Sequence, residues 1–391
     1  MSVTSMIGAG FGAGVDAGVG AEEALRQAQN AESMYPVERV FTSINDDRRS
    51  FTRPSAFSAI ALLRLLPLLF PIVFVSAAIV GSISVLYAAV AMHLIIIGAE
   101  NTVGRILFKV PIAPLLQHST LFEDTCLLLW PAFHMIALGA ALYLIACTEP
   151  SMRQVFAIGA IFGYSINVFS ATAGHELLHQ NSRVANLCSD LLYSAILYPH
   201  LPTVHFASHH KWAGLSQDCQ TPRAGQQIYG YLARALIGGL RTAATAEASM
   251  LDSRLRWRVV AVALFMATLA LAGPWQTLAF FLVQGAFAFI LIETLNYVQH
   301  YNPTHTYVST SGEGVELANQ DLNFISRCIL FNLPLHASHH VDENRHCTDL
   351  AHIPEAPSYR WGYWTSFWLA WTPPLWNLLH SLKARRGVLC E

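Results

Sequence analysis

Nine histidines fall into four short groups whose spacing is that of metal ligands. His175 and His179 stand in HELLHQ, His205, His209 and His210 in HFASHH, His300 in NYVQHY, and His336, His339 and His340 in HASHH. Separations of three to five residues bring imidazoles to one face of a helix or helical turn. An imidazole suits iron, zinc, copper and nickel alike, so the ligand type leaves the metal open. One ion takes about four to six ligands, so nine histidines predict two ions with four or five imidazoles each. HELLHQ also contains the H-E-x-x-H of zinc proteases, but that site needs one further ligand and leaves the other clustered histidines unexplained.

The elements that position these groups are read from charge-free runs. Residues 65–99 contain no Asp, Glu, Lys or Arg. As one helix they would be about 52 Å long, against a hydrocarbon core of ~30 Å. Gly81 and Ser82 sit near the middle, so two spans are predicted, 65–80 and 83–99. Residues 259–292 repeat the pattern around Gly273-Pro274, where proline breaks a helix. Residues 126–147 and 154–174, divided by Thr148, Glu149, Pro150 and Arg153, complete a third hairpin. The expected fold is therefore an all-α membrane protein of six transmembrane helices in three hairpins with a histidine-rich cytoplasmic cap. An even number of spans puts both termini on one side. Of the 23 Lys and Arg, only Arg153 falls in a turn on the far face, so the positive-inside rule makes the termini and all nine histidines cytoplasmic.

Haem ligands would be expected within spans and not at their ends. A metal transporter would place its ligands at mid-membrane depth, mixed with carboxylates, whereas these groups gather at one face. Leu187–Leu201 and Ile228–Leu240, between the fourth and fifth spans, are expected to lie along the interface or cap the bundle. Five of the nine tryptophans, Trp361, Trp364, Trp368, Trp371 and Trp376, crowd 359–382 and suggest a membrane-surface helix.

Composition agrees. The chain of 391 residues is 53% hydrophobic and only 12% charged, with mean hydropathy +0.40, against roughly 25% charged for a soluble domain. A net charge of −2 gives no field to gather nucleic acid. The seven cysteines form no C-x-x-C pair, which argues against a zinc ribbon or a built-in rubredoxin. Residues 1–53 read as a flexible tail ahead of a single membrane domain, 54–391, and lack the basic start and Leu-rich core of a secretory signal.

Together the four groups resemble the integral-membrane alkane 1-monooxygenase family, relatives of xylene monooxygenase and, more distantly, of membrane fatty acid desaturases. The family pattern H-E-L-x-H-K, E-H-x-x-G-H-H, N-Y-x-E-H-Y-G and L-Q-R-H-S-D-H-H reads here HELLHQ, VHFASHH, NYVQHYN and LPLHASHH. Every histidine is kept. Gln180, Val204, Ser208, Gln299, Asn302 and Pro334-Leu335 depart from it, at positions that orient ligands and tune their basicity.

The resemblance implies a non-haem di-iron site on the nine histidines that uses dioxygen and two electrons to hydroxylate an unactivated C–H bond of an alkane, alkyl-aromatic or other lipophilic substrate drawn from the bilayer. An acyl desaturase is the alternative, and the NYVQHY group and the H-x-x-x-H-H form of the second group favour the hydroxylase. No electron-carrying centre is visible in the chain, so a rubredoxin- or ferredoxin-type donor with its reductase is implied. Arg183, Lys211, Arg254, Arg256 and Arg258 could attract it, or could simply reflect positive-inside bias. Glu176 is a candidate to accept an imidazole N–H, and Asn296, one turn before His300, to hydrogen-bond a ligand. His93 and His134 are expected to face polar partners inside the bundle, and His118, His200, His305, His346, His352 and His380 to lie at the surface or in loops.

Overall fold

The computed structural model describes residues 54–107, 120–248, 254–301, 306–308, 314–316, 318–359 and 362–387. All of them belong to one unit, Arg48–Glu391. The expected tail, 1–53, lies outside the described residues, as do His118, Asn302, His305 and Trp361.

Six helices are long and apolar enough to cross a membrane: α1 (Ile60–Val80), α2 (Ile83–Ile106), α3 (Thr120–Thr148), α4 (Met152–Leu178), α7 (Arg254–Ala272) and α8 (Trp275–His300). Their outer faces leave Ile79, Ile95, Leu264 and Leu271 exposed, an apolar surface that only lipid or a partner would cover. The breaks fall where the sequence puts them. Gly81 closes α1 in the left-handed conformation, φ 66°, which a residue without Cβ adopts freely. Ser151 opens α4 with a capping box to Gln154, and Pro274 stands just before the first turn of α8, where its missing N–H costs nothing.

Several spans run past the predicted ends, and the reason is physical. The predicted spans stop just short of Arg64, Glu123 and Glu293, yet all three side chains are buried and partnered inside the protein. Arg64 pairs with Glu123 at 3.0 Å and donates to the Arg327 carbonyl at 2.8 Å. Glu293 accepts from Tyr198 at 2.7 Å and from Tyr231 at 2.8 Å. Paired charges of this kind do not end a helix.

Between α4 and α7 lie α5 (Arg183–Ala195) and α6 (Ile228–Ala248). The Ser182 side chain caps α5, and Ser189 and Tyr193 tie it to α4 through the Gly174 and Ala171 carbonyls at 2.8 and 3.1 Å. After α8 the chain is not purely helical, which corrects the all-α expectation in detail. Strands β1 (Thr306–Val308) and β2 (Gly314–Glu316) pair antiparallel, and β3 (Gln320–Asp321) pairs parallel with β4 (Ser358–Tyr359). The short helices α9 (Phe324–Ile329) and α10 (His336–Val341) fall between β3 and β4. The tryptophan-rich end forms two helices, α11 (Tyr363–Ala370) and α12 (Pro373–Gly387). Trp364 and Trp376 are buried in the core and Trp368 is half exposed, so the surface-helix expectation fails for two of the tryptophans, whose rings fill space between helices.

Helices α4 and α8 approach closely because α4 presents glycines. A Cβ on Gly159 would stand 2.6 Å from Val283, and one on Gly163 2.5 Å from Phe287. Small residues of this kind let backbones meet in a membrane bundle. Just beyond, Gly163–Asn167 forms a π turn, an irregularity common near functional sites, and the Asn167 amide donates to Gln284 Oε1 of α8 at 2.5 Å.

Candidate metal centre

The nine histidines come from four places: the end of α4, the helical segment 201–212, the last residue of α8, and α10. The fold gathers all of them and divides them in two. His175, His179, His205, His210 and His339 form one group, and His209, His300, His336 and His340 the other, each with its ligand nitrogens within 4.8 Å of one another.

Local geometry explains the division. His205–His209 is a π turn, which aligns residues five apart and brings His205 and His210 to one side. Consecutive residues on a helix point about 100° apart, so His209 turns away from His210, and His340 from His339, into the second group.

In the first group the Nε2 atoms of His179 and His210 each stand 2.9 Å from His205 Nε2, and His339 Nε2 stands 3.1 Å from that of His210. In the second, His336 Nε2 lies 3.1 Å from His300 Nε2 and 3.0 Å from His340 Nε2. Such separations suit neighbouring ligands roughly at right angles around an ion ~2.1 Å away. His175 Nε2 and His209 Nε2 are buried without a hydrogen-bond partner. The opposite nitrogens of three rings meet carboxylates: His175 Nδ1 lies 3.3 Å from Glu176, His209 Nδ1 2.8 Å from Asp218, and His210 Nδ1 3.0 Å from Glu343. These partners fix the tautomers and point the Nε2 lone pairs inward. Burial, and then the neighbouring rings, drives His179, His205, His210, His336, His339 and His340 well below the ordinary imidazole range. Neutral imidazoles with converging lone pairs repel unless a cation lies among them, so the donor set fits a metal in each group.

Glu176 stands beside the His175 ring. The Asn296 amide donates to Glu293 Oε1 at 3.3 Å, and the residue lines the small cavity that four of the histidines also border. Asp218 and Glu343 carry no sequence signal, since they lie outside the histidine groups and in no periodic pattern. Asp218 is fully buried and also accepts from Gln220 N at 3.0 Å and Thr221 Oγ1 at 2.7 Å. Burial alone would raise its carboxyl, but the His209 ring and these hydrogen bonds outweigh it and hold it below the ordinary range.

The altered positions find other partners. Gln180 donates to Asp124 at 3.0 Å, Gln299 to the Tyr363 hydroxyl at 2.8 Å, and Val204 packs with Cys219 and Leu255. His346 contacts Asp124, His200 the Tyr198 ring and His380 the Trp376 ring, and none of the three joins either group.

A cavity of about 50 Å³ touches both groups through His175, His205, His209 and His336, and is otherwise walled largely by apolar residues such as Val168 and Ile292. A second cavity, of about 550 Å³, borders the preceding turns of the same two helices, reaching Ala160–Ser165 of α4 and Phe287–Leu291 of α8.

The chain is similar to several known proteins. Alkane 1-monooxygenase 2 of Alcanivorax borkumensis is 32% identical over 57% of this chain and 61% of its own length. Alkane 1-monooxygenase 2 of Pseudomonas aeruginosa is 29% identical over 59% and 64%, and the xylene/toluene monooxygenase hydroxylase component of Pseudomonas putida 28% identical over 52% and 58%. The chain thus spans about six-tenths of the length of these relatives. The fatty acid desaturase family model matches residues 153–367, over half of the chain, and that interval holds all nine histidines. With its histidines divided between two converging sets at the ends of apolar helices, this membrane protein belongs to the fatty acid desaturase family.

Proposed function

We propose that the protein is a membrane non-haem di-iron monooxygenase that hydroxylates an unactivated C–H bond, terminal or methyl, of an alkane, alkyl-aromatic or other lipophilic molecule. The observation that carries the reading is the division of nine imidazoles into two sets around a small apolar-walled cavity. The reaction balances as RH + O₂ + 2 e⁻ + 2 H⁺ giving ROH + H₂O.

His175, His179, His205, His210 and His339 would hold one iron, and His209, His300, His336 and His340 the other. When bound, the irons supply the activation of dioxygen and the C–H oxidation. The chain supplies placement. Asp218, Glu176 and Glu343 orient rings through their Nδ1 atoms. Val168, Ile292 and Leu295 keep water from the reacting carbon. The larger cavity delivers the chain end from the bilayer, where hydrocarbon partitions at ~0.8 kcal/mol per methylene.

In this reading the six spans form three hairpins. Support comes from contacts near the histidine end: Arg64 of α1 meets Glu123 of α3, Ser326 donates to Glu100 of α2, and Arg258 of α7 pairs with Asp190 at 2.7 Å. The distribution of Lys and Arg assigns that end to the cytoplasm, where a rubredoxin- or ferredoxin-type donor supplies the electrons.

The test is turnover under ¹⁸O₂ with such a donor and its reductase, offered medium-chain alkanes, alkylbenzenes and acyl substrates. A labelled alcohol is expected. An unlabelled olefin would make the protein a desaturase and overturn the hydroxylase assignment.

A further inference from the structure

The larger cavity is not wholly apolar. Among its walls of Leu94, Ile161, Leu291 and similar residues stand His93 of α2 and Ser165 of α4, with the phenol of Tyr164 beside them. His93 and Ser165 are both buried. His93 Nε2 lies 3.2 Å from Ser165 Oγ, while its Nδ1 has no hydrogen-bond partner. Whichever tautomer is drawn, the ring keeps one unmet hydrogen-bonding nitrogen. Leaving such a group unmet is costly, and an ionisable residue at membrane depth is a pointer to function.

His134 makes the comparison useful. It too is buried and half satisfied, with Nδ1 2.6 Å from Ser170 Oγ. Trp130 donates to the same hydroxyl at 2.8 Å, and His134 borders neither cavity. That ring is packed away, whereas His93 stands where a ligand can reach it.

We propose that the cavity is built for a lipophilic chain carrying one hydrogen-bonding oxygen, as an alcohol, ether or ester, and that His93 with Ser165 binds that oxygen and so determines specificity. Ser165 precedes His175 by ten residues of α4, about 15 Å of helix, which an extended chain of about a dozen carbons would span. The oxygen held at one end would set which carbon reaches the histidines at the other. The inference rests on the monooxygenase reading for its chemistry but not for its binding.

The test is binding without turnover. Trp368 and Trp371 line the cavity, so their fluorescence reports its occupancy. The full-length protein in lipid nanodiscs would be titrated with dodecane and with dodecan-1-ol, each corrected for partition into lipid. The alcohol is expected to bind about five- to tenfold more tightly, the worth of one net hydrogen bond. His93→Leu and, separately, Ser165→Ala should bring that ratio to about one with dodecane binding retained, and His134→Leu should leave it intact. Equal binding of both probes by the unmodified protein, or a ratio that survives in both cavity variants, would overturn the proposal. If His93→Leu does not fold, Ser165→Ala and His93→Gln carry the test. A protein that prefers the alcohol yet yields no labelled product under ¹⁸O₂ supports this site while overturning the monooxygenase reading.

Discussion

The five-histidine set keeps part of its wall near the surface, whereas every member of the four-histidine set is buried. His179 and His210 are half-buried, and the Glu343 side chain behind His210 is 40% exposed. His209, His300, His336 and His340 are all buried, and the carboxylate behind His209 is completely so. The two sets share the second and fourth histidine groups and differ in how the surroundings treat charge. In the open set, solvent screens Glu343, and an ion there would be held by five imidazoles with the buried Glu176 behind one of them. In the closed set, an ion would have one imidazole fewer and the fully buried Asp218, whose attraction water does not weaken.

Breaking one set at a time tests the division most severely. His205→Ala should remove one iron and His336→Ala the other, each lowering turnover by on the order of 100-fold or more while the protein stays in the membrane. Metal analysis of the purified variants checks this, and a His205→Ala protein that still binds both ions would show that the sets are wrongly drawn. Asp218→Asn keeps an acceptor for His209 Nδ1 but removes the charge. It should weaken the closed centre by about 10- to 100-fold in chelator competition, with the open centre unaffected. Glu343→Gln is the matched change in the open set, and screening should hold its effect below about tenfold. Equal losses in the two variants would erase the proposed contrast. Gln180→Lys, which restores the family residue beside Asp124, should change metal affinity by less than about twofold, because an exposed ion pair contributes little.

The groups of histidines and the span breaks were legible because both are local. Ligand spacing and Gly or Pro punctuation act within a few residues. The allotment of ligands was not legible, since it separates the adjacent pairs His209-His210 and His339-His340 and depends on a π turn at 205–209 that no periodicity announced. Asp218 was hidden because its role comes from tertiary burial. The same cause shortened the predicted spans, where Arg64, Glu123 and Glu293 looked like membrane boundaries and are paired inside. Trp364 and Trp376 misled in the opposite direction: their composition suits an interface, but their positions are in the core.

The glycines at the α4–α8 crossing carry a consequence for inheritance. Gly159 precedes His175 by sixteen residues of the same helix, about 24 Å away, and a methyl group there would collide with Val283 of the helix that ends in His300. Pushing the two helices apart at that point alters how their far ends meet. Alleles that lose iron should therefore map to glycines deep in the bilayer as well as to histidines, and a pedigree of defective variants would trace the crossing as clearly as it traces the metal.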